Sequence, residues 1–84
     1  MPYISKEDRP PYDLALAQLK TLLKDKPKGH LTYVLYKIAT DYVHSESYTT
    51  LSDARSSIGD AYDEFYRRKM APYEDKKIIE NGDV

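Results

Sequence analysis

Apolar residues recur at intervals of three and four along most of this chain, which is the spacing of one face of an α-helix. The first such segment covers residues 11–24, with Pro10 and Pro11 at its start and Pro27 and Gly29 after its end. Its apolar face is predicted to hold Tyr12, Ala15, Leu16, Leu19, Leu22 and Leu23. Leu14 falls on the opposite face, so we expect it to meet another subunit or a ligand.

A second helix is predicted over residues 30–44. Its apolar stripe consists of Leu31, Val34, Leu35, Ile38, Ala39 and Tyr42. The opposite face carries Tyr33, Tyr36, Thr40 and His44. Because neither face suits bulk water, this helix should be central, with Tyr33 and Tyr36 against another subunit, a ligand or the chain's own tail.

The third and longest helix is predicted over residues 50–70, after a loop at 45–50. Thr50 is its expected N-cap, and Asp63–Arg67 and Glu64–Arg68 are acid-before-base pairs one turn apart. Gly59 inside the helix indicates close helix packing, or else the approach of a ligand or a partner's backbone. Its buried stripe is predicted to be Leu51, Ala54, Ile58, Ala61, Tyr62 and Phe65.

Residues 72–80 fit one short C-terminal helix, with Pro72 in its first turn and Gly82 just past its end. This tail is expected either to dock on the body or a neighbouring chain, or to remain loosely ordered. The prediction is a single all-α domain spanning residues 1–84: a small three-helix bundle with a short C-terminal helix or docked tail.

The composition limits the kinds of site that this chain can form. The 84 residues include no cysteine and two histidines, and 13 basic against 14 acidic side chains give a net charge of -1. Disulfides and thiolate metal sites are excluded, and His30 and His44 are too far apart along a helix to share an ion. No apolar run reaches the roughly 20 residues that span a bilayer. We expect a protein of the cytoplasm without membrane contact, metal or cofactor.

No nucleotide-binding fingerprint, Ca²⁺ loop or nucleophile elbow is present, so no enzyme is expected. Lysines crowd the first helix connection, where they either complement the helix dipole or meet phosphate or an acidic partner. These are Lys20, Lys24, Lys26, Lys28 and Lys37, with His30 beside them. The near-neutral charge argues against nucleic acid as the main partner.

Tyrosine supplies nine of the ten aromatic residues, and it is enriched at interfaces. Tyr12, Tyr42 and Tyr62 are assigned to the core. Near the end of the third helix, Arg67, Arg68 and Lys69 follow Phe65 and Tyr66. They form either exposed ion pairs that complement the helix dipole or an Arg-Tyr platform for an anion or an acidic partner.

Four segments together resemble a family of short uncharacterised proteins encoded by bacteriophages and bacterial genomes. They are Met1-Pro-Tyr-Ile4, Glu64-Phe-Tyr-Arg-Arg68, Pro72-Tyr-Glu-Asp-Lys-Lys-Ile78 and Glu80-Asn-Gly-Asp-Val84. The resemblance covers nearly the whole chain. It implies a helical fold and a phage or bacterial source, hence a host cytoplasm if phage-encoded, and it supplies no mechanism.

Polar residues flanking a helical body serve recognition or tail docking more often than core packing. The two chain ends are therefore hypothesised to meet near the end of the third helix, with Tyr3 and Tyr73 against Phe65 and the arginine pair. The candidate interaction residues are Tyr3, Tyr33, Tyr36, Tyr66, Arg67, Arg68, Tyr73, Asp75, Lys76 and Asn81.

The function these patterns favour is a non-enzymatic interaction module that self-associates, a phage accessory protein that engages a host or phage protein. Two alternatives remain open. One is a helical oligomer that sequesters a small anionic ligand or nucleotide. The other is a regulator associated with nucleic acid.

Overall fold

The computed structural model describes residues 3–84, and these residues contain helices and no strand. A 3₁₀ turn at Lys6–Asp8 precedes α1 (Pro10–Leu23), α2 (Lys28–Tyr42) and α3 (Tyr48–Phe65). A π-helical turn, Tyr66–Met70, then leads into α4 (Ala71–Asn81). The predicted all-α fold, with three main helices and a short C-terminal helix, is confirmed.

Helices α1 and α2 follow the predicted segments within two residues at each end. Pro10 and Pro11 occupy the first turn of α1, where their missing N–H groups cost no helical hydrogen bond. In the connection, Asp25 adopts a left-handed conformation with φ of 59°. A short polar side chain tolerates that conformation better than a branched one. The N–H of His30 donates to the carbonyl of Pro27 at 3.0 Å, so α2 begins before the predicted residue 30.

Ser47, and not Thr50, caps α3. The Thr50 backbone N–H donates to Ser47 Oγ at 3.3 Å, and the Leu51 N–H donates to the Ser47 carbonyl at 3.1 Å. Ser47 is extended, as an N-cap residue requires, with φ of -126° and ψ of 155°. The predicted N-cap was therefore three residues late, and Tyr48 to Thr50 are helical instead of part of a loop.

The sequence indicated that α3 would end before Pro72. In the structure the helical path continues beyond this point. The backbone passes through the π turn directly into α4, and the Ala71 N–H donates to the carbonyl of Tyr66, five residues earlier. Pro72 has no N–H to donate, and its ring would clash with a carbonyl four residues back in a regular α-helix. The wider turn just before the proline relieves that conflict, so the helical path continues.

The C-terminal helix ends as predicted at Gly82. This glycine has φ of 85°, a region that side chains disfavour, and its N–H donates to the Ile78 carbonyl at 2.8 Å. The tail therefore forms the predicted short helix, and its docking on the body or on a neighbouring chain stays a prediction.

Two units, Met1–Val34 and Leu35–Val84, divide the chain at a point inside α2. The first unit contains α1 and the start of α2. The second contains the rest of α2, α3, the π turn and α4. The predicted single domain over residues 1–84 remains a prediction.

The predicted core stripes remain largely open to solvent. Within residues 3–84, Ala54 is the only buried residue, at 8% exposure. Tyr12, Tyr42 and Tyr62 were assigned to the core, and this was wrong because each is more than half exposed. Other exposed members of the stripes are Leu16, Leu22, Leu31, Leu35, Ile38, Leu51, Ile58 and Phe65. The spacing identified the apolar faces correctly, but the chain does not cover them.

Gly59 in α3 also has open space beside it. A Cβ placed on it would meet no atom within 4 Å outside its own helix backbone. Close helix packing, the first interpretation of this glycine, is therefore not observed among residues 3–84. A ligand or a partner's backbone remains as the other interpretation.

The N-cap gives the first testable prediction. Replacing Ser47 with alanine removes the acceptor for the Thr50 N–H and should lower the free energy of unfolding by about 1 kcal/mol. Ser56→Ala is the matched control, because the Ser56 hydroxyl donates to the Ser52 and Asp53 carbonyls inside the helix and caps no helix end, and alanine favours helix. Urea unfolding followed by circular dichroism measures both. Equal destabilisation by the two variants would contradict the capping role.

Candidate functional site

An open apolar groove of the second unit lies between α2 and α3 and is here named the α2–α3 groove. Its volume is about 380 Å³. Helix α2 contributes Leu35, Ile38, Ala39 and Tyr42, and α3 contributes Ala54, Ser57, Ile58 and Ala61. The three- and four-residue spacing within each helix places these side chains on one face. The groove is thus the meeting place of two predicted core stripes.

The chemistry of this groove is almost wholly apolar. None of its eight lining residues is charged. The Ser57 hydroxyl donates to the Asp53 carbonyl of its own helix at 2.8 Å, which leaves it little capacity to orient a ligand. Sites for small molecules combine apolar walls with a few convergent polar groups. The α2–α3 groove therefore suits apolar side chains better than a polar metabolite.

A second concavity of the same unit, of about 640 Å³, includes Tyr36 and His44. The polar groups here turn to their own backbone. The Thr40 hydroxyl donates to the Tyr36 carbonyl at 2.8 Å, and His44 Nδ1 lies 3.3 Å from the Tyr42 carbonyl oxygen. Tyr36, a predicted interaction residue, is exposed at its edge.

Charged and aromatic groups concentrate along residues 64–77, here named the charged segment, which runs from the end of α3 into α4. Both Arg67 and Arg68 pair with the same carboxylate oxygen of Glu64. These hydrogen bonds, that of Arg68 first, hold the pKa of Glu64 below its ordinary value of 4.5. Arg67 thus pairs with Glu64 and not, as predicted, with Asp63. The observed arrangement is the exposed ion-pair network, one of the two interpretations of this arginine pair.

Across the π turn, Tyr66 meets Glu74. The negative charge of Glu74 beside the phenol raises the pKa of Tyr66 above its ordinary value of 10.0. Residues eight apart diverge by about 80° on a regular α-helix, whereas residues seven apart nearly align. The extra residue that the π turn accommodates therefore brings positions 66 and 74 onto one face.

Farther along α4, Lys77 covers Tyr73. Its ammonium nitrogen lies 5.6 Å from the centre of the Tyr73 ring and 2.9 Å from a carboxylate oxygen of Glu80. Both contacts lie on an exposed helix face, where such interactions contribute at most about 1 kcal/mol. The sequence had pointed to arginine as the cation near this ring, and Lys77 was missed.

The structure brings seven of the ten predicted interaction residues onto one helical segment of the second unit. They are Tyr66, Arg67, Arg68, Tyr73, Asp75, Lys76 and Asn81. Tyr36 lies on α2 of the same unit. Tyr33 belongs to the first unit, where it lines a concavity of about 410 Å³ between α1 and α2. Tyr3 also belongs to the first unit, so its docking near Tyr73 stays a prediction.

Sequence reasoning missed the α2–α3 groove as a surface. The signal was present in Ala54, Ile58 and Ala61, whose alternation of small and large residues was interpreted as buried packing. Periodicity alone does not distinguish a face covered by the same chain from one left open.

Among residues 3–84, no group of three or more His, Asp or Glu side chains could hold a metal ion. No helix in that range is long and apolar enough to cross a membrane.

These features define a small all-helical protein with an open apolar groove and a charged helical segment beside it. The chain belongs to the family described as Domain of unknown function (DUF6899), whose family model matches residues 1–84. Neither a curated protein nor a solved structure matches it. The resemblance to an uncharacterised family is thereby confirmed at that level.

The Glu64 network predicts a pH-dependent stability. Because the pKa of Glu64 is lowered in the folded state, its contribution is present above pH 4.5 and is lost as the pH falls through the folded-state pKa. Urea unfolding should therefore show wild type more stable than Glu64→Gln at pH 7, with the difference shrinking towards pH 3. Asp63→Asn is the control, since Arg67 pairs with Glu64. A wild-type advantage that does not change with pH would contradict the network.

A further prediction concerns Tyr66. Glu74→Gln removes the charge that most raises the pKa of its phenol, so that pKa should fall towards 10.0. Nuclear magnetic resonance of ring-labelled tyrosine resolves this phenol from the other eight when compared with a Tyr66→Phe spectrum. Glu80→Gln, which alters a carboxylate paired with Lys77, should leave Tyr66 unchanged. A Tyr66 titration unaffected by Glu74→Gln would show that the two side chains do not meet in solution.

Proposed function

We propose that this protein is a non-enzymatic interaction module that works by self-association and burial of apolar surface. The observation that carries the proposal is the burial pattern: Ala54 alone is buried among residues 3–84, while each of the helices α1 to α4 has exposed large apolar or tyrosine side chains. Large contiguous apolar surfaces mark interaction sites in soluble proteins. A second polypeptide is the simplest way to cover helix faces of this kind.

The finer part of the proposal is a role as a phage accessory protein that engages a host or phage protein in the cytoplasm. Its support is the resemblance carried by the four segments from Met1 to Val84. The charged segment would add specificity, because its side chains form a polar band on the helix that follows α3. Exposed charges of this kind affect association rate and partner choice more than affinity.

Light scattering coupled to size exclusion tests the self-association directly. We expect a mass of at least twice 9.8 kDa at micromolar concentration and a thermal midpoint that rises with protein concentration. A mass of 9.8 kDa at every concentration, with a constant midpoint, would refute the proposal. Heat stabilisation by nucleotides or a salt-dependent gel shift in that monomer would favour the ligand-binding or nucleic-acid alternative instead.

A further inference from the structure

We infer that the occupant of the α2–α3 groove is the same hairpin of a second copy, with α2 of each chain packed on α3 of the other. This inference rests on the proposed self-association and adds the surface and the pairing. Such an arrangement of two helical hairpins is a symmetric four-helix bundle. A two-fold interface of this kind uses the same patch on both chains.

The side chains of the groove are complementary to one another in size. On α3, the groove is lined mainly by the small residues Ala54, Ser57 and Ala61, with Ile58 as the single large one. On α2, Leu35 and Ile38 are larger, and both are at least half exposed. Helices pack when large side chains of one enter spaces between small side chains of the other. A surface with large residues on one helix and small residues on the other therefore fits a rotated copy of itself.

Charge selects α2, and not α3, as the partner of α3. Four acidic side chains of α3, Asp53, Asp60, Asp63 and Glu64, outnumber its one basic residue, Arg55, which gives a net charge of -3. Two α3 helices side by side would bring these like charges together. The part of α2 that lies in the same unit as α3, residues 35–42, carries Lys37 and Asp41 and is neutral. Pairing it with a partner's α3 therefore avoids the repulsion that two α3 helices would meet.

The polarity of the surface disfavours a polar small ligand as the main occupant. The groove lacks charged groups to orient a polar molecule. A second copy covers both the groove and the apolar residues at its ends, such as Leu51 and Phe65.

The absence of cysteine from the chain makes disulfide trapping a clean test. Ile38 and Ile58 lie near the middle of the groove-lining stretches of α2 and α3. Whether α2 of one chain runs parallel or antiparallel to α3 of the other, these two residues should therefore lie close together. Separately purified Ile38→Cys and Ile58→Cys proteins are mixed and oxidised with a glutathione buffer. A mixed disulfide requires Cα atoms within about 7 Å. We expect the mixed dimer in preference to either same-variant dimer.

Ile79→Cys is the matched control, because Ile79 lies on α4 outside the groove and is 84% exposed. Its mixture with Ile38→Cys should yield at least about tenfold less mixed disulfide. Equal yields in the two mixtures, or same-variant dimers of Ile58→Cys as the main product, would overturn the α2-on-α3 pairing.

Charge insertion gives an independent readout of the same surface. Ile58→Glu should reduce the mass measured by light scattering to that of the monomer, whereas Ile79→Glu should leave it unchanged. If Ile58→Glu loses its helical circular dichroism, the disulfide experiment, which keeps the groove nearly intact, decides alone. An oligomeric wild type that keeps its mass in Ile58→Glu and forms no mixed disulfide refutes the groove and leaves self-association standing. A monomeric wild type refutes both.

Discussion

Apolar helix faces that residues 3–84 leave open to solvent are the constraint on which the remaining structure depends. Small domains bury the smallest fraction of their surface. Here the effect is pronounced, because Ala54 is the only buried residue in the described part of the chain. The hydrophobic free energy that would stabilise a closed bundle therefore remains to be gained from contact with another surface. Helix formation, capping and the local ion pairs stabilise the elements, and each of these contributes little.

The continuous path from α3 through the π turn into α4 organises the polar chemistry. A proline would ordinarily end a helix, yet the wide turn at Tyr66–Met70 admits Pro72 without a break. As a result Glu64 faces both arginines on one side of the turn, and Tyr66 reaches Glu74 across it. The charged segment is thus one ordered helical surface next to the apolar groove. This combination of an apolar centre and a polar border is typical of protein interfaces.

The sequence predicted the helices and the family well, whereas it predicted the contacts of the candidate site only in part. Pro10, Pro11 and Gly82 marked helix ends correctly because their backbone preferences act locally. Thr50 was a plausible cap by residue type, but Ser47 took the role since its extended backbone places the hydroxyl oxygen within reach of the Thr50 N–H. The arginine pair was recognised, whereas its shared partner Glu64 and the contact of Lys77 with Tyr73 depend on side-chain geometry. Tyr42 was assigned to a core that this chain does not form.

By itself, the sequence determined the number and type of helices, the position of their apolar faces and membership of an uncharacterised family, because these depend on local spacing and on residues that recur together. Only the tertiary structure decided that the faces remain open, that α2 and α3 frame a groove, and that Pro72 lies within a continuous helical path. Hydrophobic periodicity specifies which side chains avoid water and not which surface covers them. That depends on contacts distant in sequence, and in this protein the described residues leave the apolar faces available to a partner.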